Sequence, residues 1–145
     1  MRQKLHRSNP YFLSGVIFLP LIMAASLLLF NQGVVKRCAP NAGITYADGY
    51  LERFGVKQDG IAVVFATAPD GAPVASIISG PHPGYPNWPH GYFSHILGAH
   101  GPRQGSWYFW TTDNQGKRTS VIVHLHTDGT ATPNSCQQAN LLFTE

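Results

Sequence analysis

Two histidines spaced two residues apart are the clearest chemical signal in the chain. His124 and His126 stand in an alternating segment, so a β-strand would point both imidazoles to the same face. Imidazole nitrogens bind Zn or Cu, and such a pair can chelate the ion when a third ligand comes from elsewhere. Other histidines that could supply this ligand are His82, His90, His95 and His100. The pattern predicts either a Zn or Cu site or, without a further ligand, two solvated side chains.

Aromatic side chains concentrate in the proline-rich segment 80–104. Proline fixes φ, so a stiff loop loses little entropy on binding, and amphipathic rings make good contact surfaces. We expect Tyr85, Trp88 and Tyr92 to form a recognition surface for a glycan, whose sugar rings stack on aromatic faces, or for a protein. The alternative is an ordered connection that folds its rings onto the core as a lid.

Known catalytic motifs are absent from the sequence. There is no Gly-x-Ser-x-Gly elbow, no His-Glu-x-x-His, no phosphate-binding loop and no dinucleotide fingerprint. Ser94 and His95 are neighbours, and adjacent residues on a strand point to opposite faces, so they cannot pair directly. We therefore expect a binding protein and not an enzyme. A small envelope hydrolase is the alternative, because carboxylates that are distant in sequence can converge on a sugar.

The N-terminal part of the chain has the pattern of a membrane anchor. Residues 11–30 carry no charge, and a helix of that length spans about 30 Å, the hydrocarbon thickness of a bilayer. Bases stand on both sides of this uncharged run, at Arg2, Lys4 and Arg7 and at Lys36 and Arg37. We expect residues 1–10 to be cytoplasmic and residues 11–30 to be a transmembrane signal anchor. A signal peptide cleaved near residues 24–26 is the alternative, and it would leave a periplasmic or secreted protein with an apolar new terminus.

The charge balance beyond this anchor excludes nucleic acid as a partner. The chain has a pI near 9.0, but the part that follows Arg37 holds all seven acids against five bases. A nucleic-acid-binding domain needs a concentrated basic face to neutralise phosphates. The basic residues are better explained by membrane topology.

Two cysteines, Cys38 and Cys136, stand near the two ends of the remaining chain. We expect a disulfide between them, since the ends of one domain often lie close together. A disulfide persists in an oxidising compartment, which places the C-terminal domain outside the cytoplasm.

The chain after the anchor has the pattern of an all-β domain. Residues 31–42 are predicted to be a linker, and residues 43–145 a β-sandwich. Runs rich in Val, Ile, Thr and aromatic residues alternate with turn signals such as Asp59-Gly60 and Asp128-Gly129. The predicted strands cover residues 50–56, 61–66, 74–79, 92–97, 106–112, 119–126 and 139–144. About seven strands in a domain of this size indicate two packed sheets.

The segment 105–125 (GSWYFWTTDNQGKRTSVIVHL) is the clearest hairpin. It resembles the last hairpin of bacterial immunoglobulin-like domains at Gly105, Trp107, Phe109, Thr111, Asp113, Gly116, Val121, Val123 and Leu125. The resemblance implies an immunoglobulin-like sandwich, a module that often mediates adhesion, assembly or ligand binding. It also implies an exposed patch on the outer face of the hairpin, formed by Tyr108, Trp110, Ile122, His124 and His126.

These patterns together predict a membrane-anchored extracytoplasmic module that binds a protein or a glycan and needs no cofactor. The predicted binding residues are Tyr85, Trp88, Tyr92, Tyr108 and Trp110. The alternatives are a periplasmic protein that binds Zn or Cu through His124 and His126, and the hydrolase.

Overall fold

The domain is an all-β sandwich of two sheets, as the sequence predicts. The computed structural model describes residues 28–145, which contain nine strands. They are β1 (Gln32–Ala39), β2 (Thr45–Arg53), β3 (Val56–Lys57), β4 (Ala62–Ala66), β5 (Ala75–Ile78), β6 (Tyr92–Gly98), β7 (Gly105–Thr112), β8 (Val123–Thr127) and β9 (Gln138–Thr144). None of the elements in this part of the chain is a helix long and apolar enough to cross a bilayer. The predicted cytoplasmic residues 1–10 and the anchor up to residue 27 lie outside the described residues.

Strand pairing sets the two layers. The five-stranded sheet has the order β1-β9-β2-β3, and β6 also pairs with β2. The four-stranded sheet has the order β5-β4-β7-β8. Along β2 the side chains alternate, so that Ala47 and Leu51 are buried between the sheets while Asp48 lies on the outer face. The other strands of the five-stranded sheet continue this outer face, which positions the candidate site.

Most of the segment 31–42, which the sequence predicts to be a linker, forms the strand β1 instead. It pairs with β9 from Gln32 opposite Thr144 to Ala39 opposite Gln138. Because it is an edge strand, most of its residues are exposed, and its sequence lacks the alternation that marks a half-buried strand.

The folded domain also includes the end of the uncharged run. Phe30 is fully buried in the core, and its carbonyl accepts a hydrogen bond of 3.0 Å from the Val121 amide. The amides of Leu29 and Phe30 both donate to the Thr119 carbonyl, at 2.8 and 3.2 Å. The last residues of the predicted anchor are therefore part of the sandwich, since a large apolar side chain suits a protein core as well as a membrane.

The predicted disulfide is present. Cys38 on β1 and Cys136 just before β9 are joined across a separation of 98 residues, with their Cα atoms 5.0 Å apart. The adjacent Gln137 is fully buried, and its side-chain amide donates to the carbonyls of Asp128 and Thr130 at 3.0 and 2.9 Å. These bonds and the disulfide together hold the segment before β9 against the domain.

A tight hairpin joins β2 to β3. Arg53 pairs with Val56, so Phe54 and Gly55 form the turn, with φ values of 50° and 74°. Two positive φ values are typical of a type I′ turn, in which Asn, Asp or Gly usually occupies the first position. A bulky side chain in this conformation costs about 1–2 kcal/mol. The Phe54 ring is 80% exposed, so the free energy gained by burying it offsets little of this strain.

In the hairpin of β7 and β8, the side chains that were predicted to face the core do so. Trp107, Phe109 and Val123 are buried between the sheets, and Tyr108 lies opposite His124 on the outer face. The strand β9 follows this hairpin and belongs to the other sheet, so the hairpin is not the last element of the sandwich.

Candidate binding surface

The loop that precedes β6 brings its aromatic rings together. We name the aromatic cluster after its members His82, Tyr85, Trp88, Tyr92 and Tyr50. The rings of Tyr85 and Trp88 are stacked, with centroids 4.3 Å apart and planes at 17°. Trp88 meets Tyr92 edge to face at 5.1 Å, and Tyr92 meets Tyr50 in the same way at 5.5 Å. The rings form one continuous array from the loop onto the outer face of the five-stranded sheet.

Local hydrogen bonds hold the loop in this shape. The Tyr85 amide donates to the His82 carbonyl at 2.8 Å, and the Trp88 amide donates to the Tyr85 carbonyl at 3.2 Å. The His82 ring is bound through Nδ1 to the Gly80 carbonyl at 2.9 Å. Since the intervening prolines also restrict φ, the rings are ordered before any ligand arrives.

Asp59 ties the end of the loop to the turn between β3 and β4. Its carboxylate interacts with Nδ1 of His90 at 2.5 Å and accepts a bond of 2.6 Å from the Gly91 amide. The hydrogen bond from His90, followed by that from Gly91, lowers the pKa of Asp59. Gly80 lies so close to this carboxylate that a side chain there would overlap it. The loop is thus fixed at both of its ends.

A polar patch lies beside the aromatic cluster on the same outer face. Asp48 accepts a bond of 3.1 Å from the Tyr92 hydroxyl and a bond of 3.0 Å from the side-chain amide of Asn140. Burial and the charge of Asp48 raise the pKa of Tyr92 to about 12, so its phenol keeps its proton and continues to donate. Burial and Asp48 also raise the pKa of Tyr46, which is the next outer residue on β2. This surface presents flat rings and a carboxylate side by side.

Sequence reasoning missed the residues that β2 and β9 bring to this surface, namely Asp48, Tyr50 and Asn140. The available signal was the alternation of Tyr46, Asp48 and Tyr50 with small or apolar residues, but the predicted strand at 50–56 begins only at the last of these three. Asn140 was not predicted because it is 92 residues from Asp48 and only the pairing of β2 with β9 joins them.

The other predicted binding residues lie on the opposite side of the sandwich. Tyr108 is half-buried on the outer face of the four-stranded sheet, where it stacks on His124 with centroids 4.6 Å apart and planes at 5°. Trp110 is on this face too, but it is only 4% exposed and packs with Val64, Ala66 and Ile122. The predicted exposure of Trp110 is therefore wrong, because neighbouring apolar side chains cover its ring.

The predicted histidine pair lies on this second face. His124 and His126 are both exposed, as their spacing predicts, and they stand opposite Tyr108 and Ser106. Within residues 28–145, no group of three or more His, Cys, Asp or Glu side chains is placed to hold a metal ion. His95 is buried, and its Nε2 bonds the Val63 carbonyl at 2.8 Å. A Zn or Cu site at the pair stays a prediction.

Comparison of the chain with protein-family models, with curated proteins and with solved structures gave no significant match.

Proposed function

We propose that this chain is an extracytoplasmic binding module, held at the membrane by its uncharged run, with the aromatic cluster and Asp48 as its ligand surface. The observation that carries the proposal is the continuous array in which Tyr85 stacks on Trp88 and Trp88 meets Tyr92 edge to face. This array continues into the polar patch of Asp48 and Asn140. An ordered array of partly exposed rings beside hydrogen-bonding groups is typical of a recognition surface. The sandwich is compatible with the immunoglobulin-like class, and we propose that fold for it.

A glycan is the ligand that this chemistry favours. A sugar ring presents an apolar face of C–H groups, which fits Tyr85 or Trp88, and hydroxyl groups at its edge. The Asp48 carboxylate accepts two hydrogen bonds within the domain and has lone pairs for more donors, so it can also receive a sugar hydroxyl. Asn140 holds that carboxylate in place.

The proposed compartment is supported by the disulfide. The bond between Cys38 and Cys136 would be reduced in a cytosol, and it persists in an oxidising envelope or outside the cell. An uncharged run of this length ahead of the domain would anchor it there.

The test is binding of the full chain, in detergent micelles, to insoluble glycans. Purified peptidoglycan, chitin and cellulose are the probes, and the bound fraction is measured by co-sedimentation. We expect Trp88→Ala to weaken binding at least about tenfold, because anchor residues of a binding surface each contribute on the order of 2 kcal/mol. Tyr108→Ala, which removes a half-buried tyrosine on the opposite face, is the matched control and should bind as the unchanged chain does.

Two results would count against the proposal. A Trp88→Ala chain that keeps full binding would show that the surface is elsewhere. If the unchanged chain binds none of the three glycans, they are not its ligands. The same rings would then be tested as anchors for a protein. Near-ultraviolet circular dichroism confirms that each variant is folded.

The metal alternative is tested separately. Zn titration of the unchanged chain and of the His124→Ala/His126→Ala double variant decides it, since the hypothesis predicts that the double variant loses a bound metal and keeps the thermal stability of the metal-free chain.

A further inference from the structure

One end of the sandwich carries both the entry of the chain and the hairpin of β2 and β3. β1 begins at Gln32, opposite Thr144 at the end of β9. β2 runs parallel to β9, and the pairing of Leu51 with Phe143 brings its own end to the same place. Since β1 and β2 are two strand positions apart, the chain entry and the hairpin are separated by about 10 Å across the sheet. We name this end the hairpin end.

Exposed apolar side chains gather at the hairpin end. The Phe54 ring is 80% exposed, and Val56, at the other side of the same turn, is 61% exposed. Leu29, at the chain entry, is 36% exposed and lines an open apolar cavity with Ile61 and Ile78. An end of the domain that exposes several apolar side chains suits contact with an apolar partner.

Phe54 is an unfavourable residue for the turn that it occupies. Its φ of 50° is one that asparagine or glycine adopts more easily, and its ring covers none of the core. A residue that strains the turn and remains exposed suggests that the ring has a partner outside the domain.

The position of the uncharged run indicates that this partner is the lipid bilayer. Leu29 and Phe30 are bound directly to the domain, so no linker separates the sandwich from the rest of the run. As the helix that the anchoring proposal assigns to them, residues 11–27 would span about 26 Å, which is close to the thickness of the hydrocarbon layer. A bilayer that holds this segment must therefore begin next to Leu29, within reach of the hairpin.

We propose that the Phe54 tip inserts into the lipid interface and fixes the domain against the bilayer. The inference rests on the proposed membrane anchoring. At the tip, Lys57 is paired with Glu52 at 2.8 Å, the Glu145 carboxylate accepts the Phe54 amide, and the Arg53 guanidinium lies over the Phe54 ring, 5.6 Å from its centroid. The most exposed side chains of the tip, Phe54 and Val56, are apolar, so the contact should form on zwitterionic lipid. Tyr50 is four residues from the tip, about 13 Å along the strand, so the aromatic cluster would meet its ligand close to the membrane.

The test measures the depth of each end of the domain in the full chain, reconstituted into phosphatidylcholine vesicles that contain spin-labelled lipid. A fluorescent NBD label is attached without reducing agent to Val56→Cys or, as the matched control, to Val74→Cys. Val74 precedes β5 at the far end of the sandwich and is 60% exposed, almost the same as Val56. We expect at least threefold stronger lipid quenching at position 56 than at position 74.

A second variant distinguishes an effect of the Phe54 ring on lipid contact from an effect on folding. Phe54→Asn suits the turn, so it should leave the domain folded, and we expect it to reduce the quenching at position 56 by half or more. Equal quenching at the two positions, or quenching at position 56 that Phe54→Asn does not change, would overturn the inference and leave the anchoring intact. Failure of the anchoring would be seen separately, as release of the chain from the vesicles by alkaline extraction. That result would overturn both the proposed anchoring and the insertion of the Phe54 tip.

Discussion

At the scale of single residues, His95 shows how burial changes the chemistry of a side chain. It lies on β6 facing the core, where its ring meets Phe65 edge to face at 5.0 Å and its Nε2 bonds the Val63 carbonyl. Burial lowers the pKa of His95, although the bond to Val63 opposes this effect. The buried imidazole is therefore held in its neutral form, which makes it a structural residue here.

This burial predicts that the domain loses stability in mild acid. The unfolded chain binds a proton at the ordinary histidine pKa of about 6.5, and the folded chain binds it only at lower pH. Stability is therefore complete above pH 6.5 and falls as the pH drops towards the folded pKa, with a slope of at most about 1.4 kcal/mol per pH unit for this group. Urea unfolding at pH 7.5, 6.5 and 5.5 measures the change.

An NMR titration of the folded chain tests the state of His95 directly. Its ring signals should keep their positions as the pH falls through 6.5, the ordinary histidine pKa. A His95 midpoint at or above 6.5 would contradict the assignment.

At the scale of elements, the parallel pair of β2 and β9 depends on one glycine. Gly49 faces the core in the middle of β2, and a Cβ placed on it would lie 2.1 Å from the Leu141 carbonyl oxygen. Backbone atoms cannot move aside as a flexible side chain can. The close approach of these strands, which also aligns Asp48 with Asn140, therefore requires glycine at this position.

We expect Gly49→Ala to lower the free energy of unfolding by about 2 kcal/mol or more, since the added methyl forces the two strands apart. Gly43→Ala is the matched control, because its Cβ would meet nothing closer than the Asn41 side chain at 3.7 Å. Both are compared by urea unfolding. Equal midpoints for the two variants would show that the strands yield easily.

The hairpin between β2 and β3 is predicted to gain stability from a change at its tip. Phe54→Asn places a residue that tolerates positive φ in the first position of the turn, and it should raise the free energy of unfolding by about 1 kcal/mol. Thermal unfolding in detergent, away from any bilayer, isolates this effect. A lower midpoint would mean that the Phe54 ring supports the fold itself.

At the scale of the whole molecule, the disulfide closes nearly the entire domain. It joins β1, at the edge of the five-stranded sheet, to the segment before β9. A cross-link over 98 residues reduces the entropy of the unfolded chain by far more than it changes the folded one.

Cys38→Ser/Cys136→Ser should therefore lose about 4–5 kcal/mol of stability, the value that the chain-entropy model assigns to a loop of this length. Urea unfolding of the double variant and of the unchanged chain, with and without reductant, measures the loss. Reductant should bring the unchanged chain to the stability of the double variant and leave the variant itself unaffected. A difference below 1 kcal/mol would mean that the unfolded chain is already compact.

The sequence by itself determined features that depend on near neighbours. Alternation along β7 and β8 separated the two faces of each strand, and the resemblance of the hairpin predicted which face is buried, with Tyr108 and His124 on the outer face. Turn residues marked most strand ends, and the position of two cysteines predicted their bond. Each of these features follows from local periodicity or from the shortness of a single domain, so one sequence is enough to find it.

Only the tertiary structure decided which distant residues meet. It covered Trp110 with Val64 and Ile122, although alternation alone would leave that ring in solvent. It joined Asp48 to Asn140, and it drew Phe30 from the uncharged run into the core. Burial and pairing of this kind depend on how strands from remote parts of the chain pack, and local pattern carries no information on that packing.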